Sequence, residues 1–277
     1  MPIVDLAIAL EERGFEGIFL NEHTHLPVDA PRSSYPAGGE TPERYARFWD
    51  PYIALAFVAA RTSLEFGPCI SLVGEHDAIA LAKAVATLDA LSGGRLQLGV
   101  GFGWHREEFE DHGRGPASVR AAVVEETVAL MKQLWTQEVA SFAGEHLHLS
   151  PSRSWPKPAQ RPHPPVLLGA PARPRTFERV ARWADGWIPM GTPIFEPVVG
   201  EWLRDLRAAF EAVDRDPATC RVTATLTAVP VARLAEAVDI AEGYAMERVL
   251  VKIGDGPAET VLPQLDRAAA ALNLSPA

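Results

Sequence analysis

Ala82 to Glu108 reads AKAVATLDALSGGRLQLGVGFGWHREE, and this stretch decides the fold. Leu81, Val85, Leu88 and Leu91 recur at helical spacing, which predicts a helix from about Ile79 to Leu91. Ser92-Gly93-Gly94 ends it, because glycine takes the left-handed backbone that many helix ends require. Arg95 to Val100 alternates polar and apolar residues and runs into Gly99-Val100-Gly101, the pattern of a strand covered by its neighbours. Gly101-Phe102-Gly103-Trp104 then leaves the strand's C-terminal end. In parallel α/β folds ligands bind at that end. Glycines there let backbone N–H groups approach a ligand with no Cβ between them.

The same alternation extends in both directions. Residues 3–13 form a helical pattern that Gly14 ends, and Gly17 to Asn21 is a short apolar strand. Residues 24–50 are polar and rich in Pro, Gly and Arg, and read as a long lid-like loop at that strand's C-terminal end. A helix follows from Asp50-Pro51 to about Ala60, and a strand from Leu64 to Leu72. Beyond the central stretch, Arg114 to Trp135 includes a long helix, with Val119, Val123, Val128, Leu130 and Leu134 mostly at core spacing. Val139 to Leu149 reads as a small β excursion. Strands are predicted at Val166–Gly169, Gly186–Met190, Arg221–Val229 and Arg248–Ile253. Helices follow them at Pro174–Trp183, Phe195–Val213, Leu234–Gly243 and Ala258–Leu272. Such alternation predicts a parallel sheet with crossover helices. On pattern alone, a closed barrel and an open doubly wound sheet both satisfy it.

Composition bounds the function. The chain has 277 residues, 47% hydrophobic and 22% charged, enough for one large α/β domain. A net charge of −10 argues against nucleic-acid and anionic-membrane partners. Cys69 and Cys220 are too few for a disulfide framework or a cysteine metal site. No run of about 18 apolar residues exists to span a membrane. The first residues carry an acid and no basic segment, so no secretory signal is read and a cytoplasmic protein is expected.

Several ordered motifs together resemble a known family. LAKAVATLDALSGGRLQLGVGFGW (81–104) resembles the signature of the bacterial luciferase-like monooxygenases, and more narrowly their deazaflavin (coenzyme F420)-dependent oxidoreductase branch. Gly14 to Gly17 with Ile18 to His23 resembles the family's second strand and its acid–His end. Trp155 to Gln160, Pro164 to Gly169, and Ala184 to Trp187 resemble later segments. The resemblance implies an α/β (β/α)8 TIM barrel as one domain over residues 1–277, with 24–50 as a lid-like loop and 138–164 as an insertion. The family opens with a strand that this chain, beginning almost directly in a helix, lacks. A barrel without that strand would leave unpaired edges.

Candidate residues follow from both readings. Glu22 and His23 close a strand at the ligand face, and histidine is the most common general acid or base near neutral pH. The resemblance places this acid–His pair beside the cofactor ring, whereas the bland alternative is a loop histidine satisfied by its neighbours. His25 makes an HxH pattern, but no third ligand set accompanies it, so no metal is expected. Cys69-Ile70 lies late in the third family strand, where relatives have a cis peptide between non-proline residues behind the ring. Phe102, Gly103 and Trp104 are implied cofactor contacts. Gly169, Ala170 and Arg173 stand between a strand and a helix, where the family binds the cofactor phosphate. A helix N-terminus with a guanidinium suits an anion, although Pro171 and Pro174 remove two donors. Glu107 and Glu108 read as first-turn acids suited to a helix N-terminus, and Gly191-Thr192 and Lys252 as secondary candidates.

No GxSxG, P-loop or HExxH is present, which favours a cofactor that carries the chemistry. The expectation is hydride transfer between coenzyme F420 and a small organic substrate, in a homodimer. The alternatives are an FMN-dependent monooxygenase of the same fold and a non-catalytic ligand-binding or assembly protein with a broken barrel.

Overall fold

A computed structural model of the protein describes residues 1–275. Its elements run in chain order as α1 (Ile3–Glu11), β1 (Gly17–Leu20), α2 (Pro51–Ala59), β2 (Glu65–Pro68), α3 (Ala78–Ser92) and β3 (Leu98–Val100). There follow α4 (Arg106–Asp111), α5 (Arg120–Thr136), β4 (Ala140–Ala143), β5 (His148–Ser152), β6 (Val166–Gly169), α6 (Pro174–Trp183) and β7 (Gly186–Ile188). The chain closes with α7 (Val198–Glu211), β8 (Arg221–Leu226), α8 (Leu234–Gly243), β9 (Arg248–Val251) and α9 (Ala258–Ala271). Among the described residues no helix is long and apolar enough to cross a membrane.

The chain falls into two compact units. Met1–Phe19, Phe57–Phe66 and the chain from Pro165 onward make the first; Leu20–Ala56 and Gly67–Pro164 make the second. In the first unit β6, β7, β8 and β9 are neighbours in sequence order, all parallel, with Leu168 opposite Trp187, Trp187 opposite Val222, and Ala224 opposite Val249. Every residue of β6 is buried, as a strand covered on both faces must be. Gly186 faces the carbonyl of Arg221 so closely that a Cβ there would lie 2.1 Å from it. Phe177, Val180, Leu206 and Phe210 of α6 and α7 supply core side chains.

In the second unit α3 is capped by Asp77, whose carboxylate accepts the N–H groups of Ile79 (3.1 Å) and Ala80 (2.8 Å). It ends at Gly93, with φ +72°, as the sequence predicts. Leu81, Val85 and Leu88 are buried, but Leu91 is 84% exposed. The buried stripe continues instead through Ser92, four residues after Leu88, because 3.6 residues per turn carry Leu91 off that face. The packing of α3 on α5 includes the indole of Trp135, which donates to the Ala82 carbonyl (2.9 Å). Buried Asp89 receives Gln160 N–H at 3.0 Å and Gln160 Nε2 at 2.7 Å, and Nε2 also donates to the Leu96 carbonyl (2.7 Å). One glutamine thus ties the Pro-rich stretch to both α3 and the start of β3.

The long helix expected within Arg114–Trp135 is α5. Two predicted elements differ from those observed. The strand expected over Leu64–Leu72 stops at Pro68, where the chain leaves the ladder. The β excursion is an antiparallel hairpin, β4 with β5, displaced a few residues C-terminal of its expected end.

Candidate active site

The second unit gathers its titratable side chains around the residues that follow β1 and β3. Cys69 N–H donates to the Leu20 carbonyl (2.7 Å), fixing the end of β2 beside the end of β1. The peptide Cys69-Ile70 is cis. Ser71 then bridges to β3: its N–H donates to the Gly99 carbonyl (2.8 Å), and its carbonyl accepts Gly101 N–H (3.0 Å). This exchange brings the chain after Ile70 against the glycine turn after β3.

Glu22 locks that junction. Its Oε2 accepts Ser71 Oγ–H (2.8 Å) and Leu72 N–H (2.5 Å), and Oε1 stands 2.8 Å from His76 Nε2. The Tyr52 hydroxyl donates in turn to Ser71 Oγ (2.7 Å). Burial works to raise the Glu22 carboxyl, but His76, Leu72 and Ser71 together hold it below the usual carboxylate value. Burial likewise opposes the charged form of His76, yet contact with Glu22 raises that ring above its ordinary value. Each partner thus favours the charged form of the other, and both oxygens of Glu22 are engaged.

His23 points to a different acid. Its Nδ1 lies 2.6 Å from Glu108 Oε2, and Glu108 Oε1 accepts Thr24 N–H (3.0 Å). Trp104 Nε1–H donates to His23 Nε2 (3.3 Å). An indole N–H only donates, so Nε2 must accept, and the proton of the neutral ring sits on Nδ1 facing Glu108. Glu108 is fully buried, on α4. Around the imidazole stand the rings of Tyr45 (5.2 Å), Trp104 (5.7 Å) and Phe48 (6.1 Å). An aromatic wall with one basic nitrogen at its edge is the result.

The loop 24–50 is held by α4. Arg32 N–H and Nε donate to Glu107 Oε1 (2.9 and 3.2 Å), and its two terminal nitrogens reach Glu110 (3.1 and 2.6 Å). The Ser33 hydroxyl donates to Glu107 and accepts Arg106 N–H (2.8 Å). Although partial burial opposes it, these donors bring the Glu107 carboxyl down to about 2. At the other end of α4, Thr24 Oγ1 is 2.8 Å from His112 Nε2 and 2.9 Å from His25 Nδ1, and His25 Nε2 is 3.1 Å from Asp111.

Gly103 has φ +69°, so glycine is required there by backbone conformation; a Cβ would make only ordinary contacts, 3.4 Å from Leu72 and 3.6 Å from Glu75 Oε1. Glu75 itself is buried, and its Oε2 has no hydrogen-bond partner among the described residues. Burial first, and the neighbouring Glu108 and Glu22 second, push its carboxyl up to about 9. Burial pushes the Cys69 thiol up to about 12.

Glu22, His23, Cys69, Ile70, Phe102, Gly103 and Trp104 thus all lie in the second unit. Gly169, Ala170 and Arg173 belong to the first. There Ala170 N–H already donates to the Ile188 carbonyl (3.3 Å), and Trp187 Nε1 occupies the Ala170 carbonyl (2.9 Å). Thr176 N–H is spent on the Arg173 carbonyl (2.9 Å). The exposed Arg173 guanidinium, rather than a row of backbone donors, is what this turn presents. Gly191 and Thr192 are tied to Thr225 by three hydrogen bonds of 2.9 to 3.0 Å. Among the described residues no three His, Cys, Asp or Glu side chains group as a metal site. The sequence reading missed Glu108, His76 and Glu75 as site residues. The WHREE run marked where one acid would enter the site, but only the fold selects Glu108 over Glu107.

Comparison with known proteins places the chain. Residues 2–272 match the model of the family described as luciferase-like monooxygenase. An uncharacterized protein of Mycobacterium tuberculosis is 43% identical over 205 residues, 72% of this chain and 71% of that one. The F420-dependent hydroxymycolic acid dehydrogenase of the same organism is 28% identical over 230 residues, covering 82% of this chain and 58% of its own. The FMNH2-dependent dimethylsulfone monooxygenase of Pseudomonas putida is 33% identical over 135 residues, 47% of this chain and 37% of that one. Among solved structures, monooxygenase RslO1 from Streptomyces bottropensis superposes with a TM-score of 0.75 at 21% identity, over 98% of this chain and 92% of that one.

Proposed function

The chain belongs to the luciferase-like monooxygenase family, with its TIM-barrel fold, and is a luciferase-like oxidoreductase; from that premise we propose that it uses coenzyme F420 to move a hydride to or from a small organic substrate. The observation that carries this reading is the His23–Glu108 pair, whose Nε2 accepts the Trp104 indole N–H inside an aromatic wall. The donor set suits a planar conjugated ring. Trp104, Tyr45 and Phe48 offer faces, and the Gly101–Gly103 turn offers backbone. The bound deazaflavin would supply the two-electron hydride chemistry, for which no side chain here is equipped.

The chain's own residues handle protons and position. His23 Nε2 takes the proton of a substrate hydroxyl as its carbon loses hydride, and returns it in the reverse direction. Glu108 keeps the Nδ1–H tautomer and stabilises the imidazolium that forms, the role a buried carboxylate plays behind a catalytic histidine. Trp104 marks the place of the substrate oxygen: its indole N–H occupies Nε2 until an alcohol replaces it. Glu22 is a positioning residue that holds Ser71 and Leu72 behind the ring. A homodimer and a small-molecule substrate belong to the same reading.

The FMN monooxygenase reading stands second, supported by the dimethylsulfone monooxygenase relative. A fluorescence titration with each cofactor separates the two. Tight F420 binding with weak FMN binding is the expected result, and the reverse preference overturns it. In the same assay His23→Ala should leave cofactor affinity unchanged and lower turnover by about 10²-fold or more. Unchanged turnover would remove His23 from the chemistry.

A further inference from the structure

Glu75 has no task in the arrangement above, yet it is buried with one oxygen that has no hydrogen-bond partner among the described residues. It lies in a short 3-10 turn, Val73–Glu75, with its side chain 2% exposed. Leaving a buried polar group without a partner costs roughly 1–3 kcal/mol, and each such group calls for an explanation. Glu22 and Glu108 face Glu75 with like charge, and His112 is the ring beside it, its Nε2 3.5 Å from Oε2. Arg114, which acts on His112, is not among the groups that set the Glu75 carboxyl. The other oxygen, Oε1, lies on the side of the glycine turn: it would stand 3.6 Å from a Cβ placed at Gly103. His112 is 24% exposed and is held through Thr24 Oγ1, so one flank of the Glu75–His112 couple reaches solvent and the other reaches the site.

We propose that Glu75 is a second proton-carrying group of the site: it offers its carboxyl proton to a ligand seated on the Gly101–Trp104 turn, and His112 restores that proton from solvent. The proposal rests on the oxidoreductase reading. Hydride exchange has two partners. In the reducing direction both protons run back; in the oxidising direction the substrate gives its hydroxyl proton to His23, and the Glu75 O–H bond would break to supply the proton that a bound hydride acceptor needs. The carboxylate left behind is reprotonated by His112, which takes its proton from water. Electrons and protons balance with the cofactor and substrate alone. A carboxyl kept neutral at working pH by an apolar, like-charged surrounding is a recognised means of donating a proton or hydrogen bond.

Infrared difference spectroscopy on the full chain tests this. At neutral pH the protein should show the carbonyl stretch of a protonated carboxyl that Glu75→Gln removes. Should that variant misfold, Glu75→Asp, which shifts the band, makes the assignment. Adding coenzyme F420 or FMN should move the band to lower frequency, as hydrogen bonding to the ligand requires. On transfer to deuterated water, His112→Gln should slow its exchange. A missing band, a band unmoved by a cofactor that binds, or unchanged exchange in His112→Gln would each overturn the proposal. If neither cofactor binds in the fluorescence titration, the oxidoreductase reading fails and takes the proposal with it. Binding with an unmoved band sinks the proposal alone.

Discussion

The two units bury different chemistry. In the first, the buried polar side chains among the described residues are three threonines, Thr176, Thr192 and Thr223. In the second they include Glu22, Glu75, Asp89, His105, Glu107 and Glu108. Burying ionisable groups is unfavourable unless each is paired or neutralised, so such a cluster marks where a fold has been shaped for something other than stability. Asp89 shows the structural use of a buried charge, as a brace for Gln160. Glu108 braces Thr24 as well, but its other oxygen faces His23, and Glu75 Oε2 braces nothing among the described residues. The β6–β9 sheet reads as a scaffold, and the buried ionisable groups belong to the other unit.

That contrast predicts opposite responses to substitution. The largest effect should come from Glu108→Gln. The amide preserves shape but turns an N–H toward His23 Nδ1, which forces the ring proton to Nε2. Turnover should fall by about 10³-fold with little change in folding; steady-state kinetics at saturating cofactor check it, and near-normal turnover would erase the functional distinction between the units. Next comes Leu168→Ala in fully buried β6. It should cost about 3 kcal/mol in urea unfolding while the folded fraction keeps its kinetic constants; a selective loss of turnover would show that the scaffold reaches into the chemistry.

The smallest effect sharpens the comparison through pH. The folded chain keeps a proton on Glu75 up to about 9, whereas the unfolded chain releases it near 4.5. Between those values the folded state binds more protons, so its stability falls as pH rises. The contribution is at most about 1.4 kcal/mol per pH unit. Glu75→Gln should flatten that slope in unfolding curves between pH 6 and 8, and an unchanged slope would place its origin elsewhere. The Glu22–His76 pair acts differently. Glu22 contributes stability above 4.5 that is lost as pH falls through its lowered value; His76 contributes stability below 6.5 that is lost as pH rises through its raised one.

The sequence by itself determined the order of strands and helices, the glycine end of α3 and the glycine turn after β3. These are local matters of periodicity and backbone conformation; the cis peptide at Cys69-Ile70 came from the family resemblance. The long loop 24–50 was legible too, as a polar run too long to be a plain connection. Tertiary structure decided the rest. Leu91, apolar but turned off the buried face of α3 by helical geometry, stayed exposed. Glu22, adjacent to His23 in sequence, turned to Ser71, Leu72 and His76, while Glu108, 85 residues away, became the partner of His23. Neighbouring side chains after a strand point to opposite sides, so the sequence pair could not be the spatial pair. Glu75 became an acid of interest only when burial and two like charges surrounded it, and no one-dimensional pattern records either.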